Sequence, residues 1–391
     1  MKSLCLVMIV RNESKVIKRC LDNVKDKINY WVIVDTGSED NTKEIILETL
    51  KDIPGELHQQ EWVNFGFNRS ESLRLAKGKA DYLLLCDADE NIQFSPQFNI
   101  DELSKDAYLI SYVGEFDYSV PYLIRGDLNW KYVGVTHEYL DCDIRVEREK
   151  LSTITIFDAK DGGFKADKFE RDIRLLEQGL LDEPNNSRYK FYLANSYRDV
   201  ENYEKAIEWY LKRIEDGGWV EEVTVSYERL GSCYEKLNNS EKALYYWLLG
   251  YDYNPNRAEC LYYAIRHLRR QGKSRLGYHL GLMAEKISYP ISDLLFINKS
   301  VYDYLLDYEM SINSYWVNDF EKGYQSCKVV FFNCRDAALL DITLRNIFYY
   351  KDVFKKDKPY IRGILAKRLQ ELYPASHELH DKANAIIQLL A

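Results

Sequence analysis

Two carboxylates one residue apart, Asp87 and Asp89, directly follow the apolar run YLLLC over 82–86. Such a run is too short for a helix and reads as a buried strand. Acidic side chains just beyond its carboxyl end sit where open α/β sheets bind ligands. An Asp-x-Asp there can hold a divalent cation, and the cation can hold a diphosphate. Further polar residues fall at the ends of other apolar runs. Asn12 and Glu13 follow LCLVMIV and offer an amide and a carboxylate to a nucleobase edge. Asp35 ends YWVIV; it can accept from a base or ribose, or make an Asx-turn with Gly37 and Ser38. Arg69 is a fork of donors suited to phosphate or ribose, or else an ordinary surface-helix arginine. His137 and Glu138 close the aromatic stretch WKYVGVT. Imidazole binds Mn²⁺ and related metals, and a carboxylate beside it is a candidate base for a hydroxyl proton. The plainer alternative is a packed histidine beside a solvated glutamate.

The elements that position these residues follow from the pattern. Leu4–Val10, Tyr30–Val34 and Tyr82–Cys86 are predicted strands, with helices over 15–25, 43–51 and 69–76 between them. Asn41 or Thr42 can cap the second helix and Gly78 can end the third. Strand–helix–strand order implies parallel βαβ units with right-handed crossovers. Tyr108–Val113, Tyr132–Val135 and Thr153–Phe157 extend this sheet or form a small second one.

Beyond Phe164 the period changes to helical, rich in Tyr and Leu. Leu193, Tyr197, Ala206 and Tyr210 recur at one common offset as Leu230, Tyr234, Ala243 and Trp247. Leu261–Met283 reads as a degenerate third unit, and DFEKGY at 319–324 echoes ENYEKA at 201–206 as a further unit near 305–335. Small residues facing aromatic ones suit close-packed helical hairpins. The tyrosines of this half are core or groove residues of the repeats. The division is therefore 1–165 and 166–391, joined by the short junction Lys160-Asp161-Gly162-Gly163. The last fifty residues read as helical without a repeat assignment.

The chain has 391 residues, 46% hydrophobic and 29% charged, an ordinary globular composition with room for two domains. Its net charge of −9 argues against nucleic-acid and membrane-surface binding, and requires any phosphate site to gather positive charge locally. Eight cysteines without CxxC or zinc spacing suit a reducing compartment. With no apolar stretch of membrane-spanning length and no signal-peptide core, the expected location is cytoplasmic.

Five pieces in order, VMIVRNES, VIVDTGSEDNT, FNRSESLRLAKG, LLLCDADE and WKYVGVTHE, resemble the family 2 glycosyltransferases. The helical half resembles the tetratricopeptide pattern of helix–turn–helix repeats. The resemblance implies an α/β GT-A domain, Rossmann-like with a mostly parallel sheet, followed by an all-α repeat domain. It implies a nucleotide contact at Asp35, with Asp87 facing ribose and metal and Asp89 the firmer ligand of Mn²⁺ or Mg²⁺. It adds His137 as a third ligand and Glu138 as the base, with Asp141 and Asp143 in reserve because His-Glu departs from the family's commoner acidic pair. The expected reaction moves a hexose-type sugar from a UDP-linked or other nucleoside-diphosphate donor to a hydroxyl on a glycan, peptide or protein, with inversion. The repeats would hold that acceptor or drive self-association. A repeat-based binding protein with an inactive transferase domain is the first alternative, disfavoured by the intact Asp87, Asp89, Arg69 and Glu138. A nucleotidyltransferase is the second, disfavoured because VMIVRNES lacks a glycine-rich basic loop.

Overall fold

The computed structural model describes residues 1–113, 119–158, 161 and 168–354, together with positions 363 and 381. It divides into two compact units, Met1–Tyr192 and Leu193–Ala391.

In the first unit β1 (Leu4–Val10), α1 (Ile17–Val24), β2 (Tyr30–Asp35), α2 (Thr42–Thr49), β3 (Gly55–Gln59), α3 (Phe65–Ala76) and β4 (Tyr82–Leu85) alternate in order. β5 (Glu90–Phe94), β6 (Ala107–Tyr112), β7 (Ser119–Arg125), the hairpin of β8 (Trp130–Val133) and β9 (Tyr139–Cys142), and β10 (Arg148–Asp158) follow. Eight strands form one sheet in the order β3-β2-β1-β4-β7-β6-β10-β5, and β8 and β9 pair separately. The β3-β2-β1-β4 half is parallel, as its helical crossovers require, and β7 turns the sheet antiparallel beside β4.

β1 is buried on both faces, and its side chains divide by alternation. Leu4, Leu6, Met8 and Val10 pack with Ile17, Cys20, Leu21 and Val24 of α1, whereas Cys5 and Val7 pack with Leu73 and Ala76 of α3. That two-sided burial is why β1, β2 and β4 read as continuous apolar runs. β3, GELHQ, escapes the pattern because it is an edge strand with no buried residue. β7 carries Pro121 at an irregularity in its register with β6, which masks its alternation.

The first unit also includes α4 (Lys168–Asp182) and the start of α5 (Ser187–Asp199). The boundary therefore falls later than the 165/166 division read from periodicity. The reason is packing. Gly179 allows α4 to lie against Tyr189 and Val135, where an added Cβ would stand 3.0 and 3.2 Å from their side chains. The hydroxyl of Thr136 donates to Asp172 (3.2 Å), and Arg188 donates to the His137 carbonyl (2.9 Å). Of the junction 160–163, only Asp161 belongs to the described residues.

The second unit is helical: α6 (Tyr203–Asp216), α7 (Val220–Lys236), α8 (Ser240–Tyr253), α9 (Glu259–Arg270), α10 (Ser274–Ala284), α11 (Leu306–Asn313), α12 (Phe320–Asn333) and α13 (Ala337–Asn346). The recurring residues do recurring jobs. Tyr210 and Trp247 are fully buried, and the Trp247 ring occupies the space that a side chain at Gly231 would need. Asn202, Asn239 and Asp319 each cap the second helix of a hairpin by accepting from the backbone N–H of Lys205, Lys242 and Lys322. The shared cap is the physical content of the echo between 201–206 and 319–324. Most of the last fifty residues lie outside the described residues.

Candidate active site

The carboxyl ends of β1, β2 and β4 open into a crevice of about 350 Å³. Glu13, Thr36, Trp62, Phe65, Asp87 and Asp89 contribute to its wall. Arg11, Thr36 and Trp62 also line a second lobe with Asp35, Gln60 and Lys43, so the two lobes share a wall.

The loops after β1 and β2 brace each other. Asn12 takes a left-handed backbone (φ 57°), its N–H donates to Ser38 Oγ (2.9 Å), and its side-chain oxygen accepts from Glu39 N–H (2.8 Å). The amide oxygen expected to face a nucleobase is thus used to hold the two loops together, and Asn12 is absent from the lining of either lobe. Asp35 combines both readings left open by the sequence. Its Oδ1 accepts from Gly37 and Ser38 N–H (3.0 and 2.9 Å), whereas its Oδ2 is buried with no partner among the described residues. Gln60 Oε1, in the same lobe, is likewise buried with no partner among the described residues. The sequence reading missed Gln60 because it sits one residue past the polar edge strand.

Helix α3 carries Arg69. The chain enters α3 through Asn64, which caps it by accepting from Phe67 N–H (2.8 Å), and Asn68 staples the preceding loop by accepting from Val63 N–H and donating to the Glu61 carbonyl. The helix therefore begins four residues earlier than its apolar spacing suggests. Gly66 meets the carbonyl of Gly134 so closely that an added Cβ would lie 2.0 Å from it. This contact brings the 134–138 loop beside α3, and with it Glu138.

Arg69 stands between two carboxylates. Its Nη2 donates to Asp87 Oδ1 and Oδ2 (2.7 and 2.9 Å), and its Nε lies 2.8 Å from Glu138 Oε1, an ion pair outside hydrogen-bond geometry. Tyr132 packs under the guanidinium at 5.6 Å. Burial acts to lower the arginine pKa, but the charges of Asp87 and Glu138 outweigh it and hold the group well above its ordinary value. The arginine expected to meet phosphate is here the bridge that fixes both acids.

Glu90, not singled out in the sequence, lies beneath Asp87. Its Oε2 accepts from Asp87 N–H (2.8 Å), and Oε1 accepts from the hydroxyls of Tyr112 and Tyr122. Burial first, and then the charge of Asp87, push its carboxyl up to about 7. Its signal was its place one residue beyond Asp89 at the start of a strand.

His137 takes a different place from the one expected. It has a left-handed backbone (φ 49°), its ring stacks on Tyr192 (4.1 Å between centroids, 8° between planes), and Nε2 lies 3.7 Å from Asp172 Oδ2. Among the described residues no three or more His, Cys, Asp or Glu side chains converge to hold a metal ion, so Asp87, Asp89 and His137 do not form a three-ligand centre. Packing of α4 and α5 against the 134–138 loop is the reason. The carboxylates of Asp87 and Asp89 are hard oxygen donors, the type that Mg²⁺ or Mn²⁺ takes. Such ions take one or two carboxylates and complete their shells with substrate phosphates and water. Asp141 and Asp143 instead serve the β8–β9 hairpin, near Lys131 (3.9 Å) and accepting from Asn129 (2.6 Å) respectively.

Residues 5–97 match the family described as glycosyl transferase family 2. That family 2 glycosyltransferase match lies within the first unit. Over 224 residues the chain is 25% identical to the SPbeta prophage-derived glycosyltransferase SunS of Bacillus subtilis (strain 168), covering 53% of this chain and 52% of that protein. It is 34% identical over 92 residues to a TPR repeat-containing protein of Synechococcus elongatus, covering 24% and 22% of the two chains. The chain thus spans about half the length, or less, of the curated relatives it matches. The solved structure of YrrB, described as a TPR protein with an unusual peptide-binding site, aligns with 44% of this chain and 81% of its own at 16% identity and a TM-score of 0.34. The family match ends at residue 97 and leaves Glu138, α4 and the helical unit outside it. No helix among the described residues is long and apolar enough to cross a membrane.

Proposed function

We propose that this chain transfers a sugar from a nucleoside-diphosphate donor, UDP-linked in the first instance, to a hydroxyl acceptor on a glycan, peptide or protein. The observation that carries the reading is the crevice itself, with Asp87 and Asp89 at its wall and Asp35 Oδ2 and Gln60 Oε1 as buried acceptors in the adjoining lobe. Two acceptors beside Trp62, without partners among the described residues, suit the N–H and hydroxyl donors of a nucleoside. Asp89, with Asp87, would hold Mg²⁺ or Mn²⁺. When bound, such an ion neutralises the leaving diphosphate as a Lewis acid.

The chain's own residues supply the remaining functions. Arg69 fixes Asp87 and Glu138 in one arrangement, so neither acid has to reorganise when the substrate arrives. Glu138 takes the proton of the acceptor hydroxyl as that oxygen bonds to the anomeric carbon. The bond from that carbon to the diphosphate breaks on the opposite side, which inverts the centre. The helical unit serves the acceptor, and the eight free thiols suit a cytoplasmic location. A calorimetric screen of nucleoside diphosphates with Mn²⁺ tests the reading: one base should bind in preference, and Asp89→Asn should abolish the metal-dependent part of its affinity. Equal, metal-independent binding of every nucleotide would overturn it.

A further inference from the structure

We infer that Lys168 and Arg171, carried by the first turn of α4, are the cations that grip the donor diphosphate. The inference rests on the donor reading above and names residues of that same site. Its starting point is charge. Glu13, Asp87 and Asp89 line the crevice together with Arg11, and a diphosphate entering beside three carboxylates needs positive charge beyond one arginine and a divalent ion. Arg69 is committed to Asp87 and Glu138.

Lys168 and Arg171 line the same crevice as Asp87 and Asp89. Their i, i+3 spacing places them on one face of α4. That face is held in position. Asp172, fully buried, accepts from Thr136, and Arg171 Nε lies 3.6 Å from Asp172 Oδ1. The Arg171 guanidinium lies 4.8 Å over the Phe65 ring, and Phe65 packs edge-on against Trp62 at 4.8 Å. Arg171 therefore stands on an aromatic platform at the edge of the nucleoside lobe, with Lys168 one turn earlier. A planar guanidinium suits bidentate contact with phosphate oxygens, and an ammonium adds a point charge.

The chemistry gives these cations a part in the reaction. As the acceptor oxygen bonds to the anomeric carbon, the carbon–oxygen bond to the diphosphate breaks and its electron pair goes to the departing phosphate oxygen. The acceptor proton goes to Glu138. The leaving group gains one negative charge, and Lys168 and Arg171 stabilise it where it forms. The first helix after the sheet domain thus completes the donor site, and the transferase function extends past the segment that matches the family.

The test uses the full chain and calorimetry in Mn²⁺ with UDP, GDP, ADP and CDP, each paired with its monophosphate. The wild type should favour one diphosphate over its monophosphate. Lys168→Ala and Arg171→Ala should each weaken that diphosphate about ten- to hundredfold while leaving the monophosphate within about threefold. Arg171→Lys should recover part of the loss. If Arg171→Ala fails to fold for want of its contact with Phe65, Lys168→Ala on the exposed side of the turn decides alone. An unchanged ratio of diphosphate to monophosphate affinity in the variants overturns the inference and leaves the donor reading standing. A wild type that prefers no diphosphate removes both.

Discussion

Replacing Arg69 by Met separates a bridge between two acids from an arginine that only awaits phosphate. Methionine keeps much of the apolar stem but removes the charge, leaving Asp87 and Glu138 facing each other across its place. The side chains of Arg69 and Glu138 are only 17% and 13% exposed. Removing one partner of a buried pair costs about 3–5 kcal/mol because the other charge stays behind. The Asp87 side chain is 35% exposed, so solvent screens its share and that contact contributes about 1 kcal/mol or less. Relaxation of Glu138 toward water offsets part of the rest, and the net loss should be about 2–4 kcal/mol. Hydrogen exchange of the β1 and β4 amides, read by mass spectrometry, reports the stability of this unit without interference from the helical one. Combining Arg69→Met with Glu138→Gln should recover about 1–3 kcal/mol, because the second change removes the stranded charge. A loss below about 0.5 kcal/mol, or strict additivity in the double variant, would refute the bridge.

Glu138→Gln keeps shape but cannot take a proton. Product formation should fall about 10²–10⁴-fold with donor affinity nearly unchanged, and a wild-type rate would move the base elsewhere. His137→Ala should lose its contacts with Tyr192 and Asp172, at about 1–2 kcal/mol, while metal-dependent nucleotide binding persists; loss of that binding would return His137 to the metal. Glu90 gives a pH signature. Its folded pKa of about 7 lies above the ordinary 4.5, so the folded state holds the extra proton. Stability should be fullest below about 4.5 and decline by up to about 3 kcal/mol as pH rises through about 7. Glu90→Gln should flatten that slope in urea titrations at several pH values, and an unchanged slope would place the titrating group elsewhere.

Much of this was legible because the buried strands announce themselves. β1, β2 and β4 are apolar on both faces, and the residues that end them are polar for want of any further core to fill. Asp35, Asp87 and Asp89 could therefore be placed at one sheet edge from sequence alone. The repeat pairs Tyr210 with Trp247 and Ala206 with Ala243 were visible because close helix packing admits few alternatives. What stayed hidden depends on contacts distant in sequence. The commitment of Arg69 to Glu138 arises from the approach of Gly66 to Gly134, which no local pattern encodes. The stacking of His137 on Tyr192 and the arrival of Lys168 and Arg171 at the crevice follow from α4 packing back on the first unit. A helix begins there in the sequence, and periodicity alone assigned it to the repeats.

The measurement closest to the central claim is release of nucleoside diphosphate from nucleotide sugars by the full chain in Mn²⁺, with water or a hydroxyl acceptor present. Release is expected from one nucleotide sugar, reduced by orders of magnitude in Asp89→Asn and Glu138→Gln, each of which should retain its fold by circular dichroism. No binding and no release with any nucleotide sugar, or release that survives both substitutions, would contradict it.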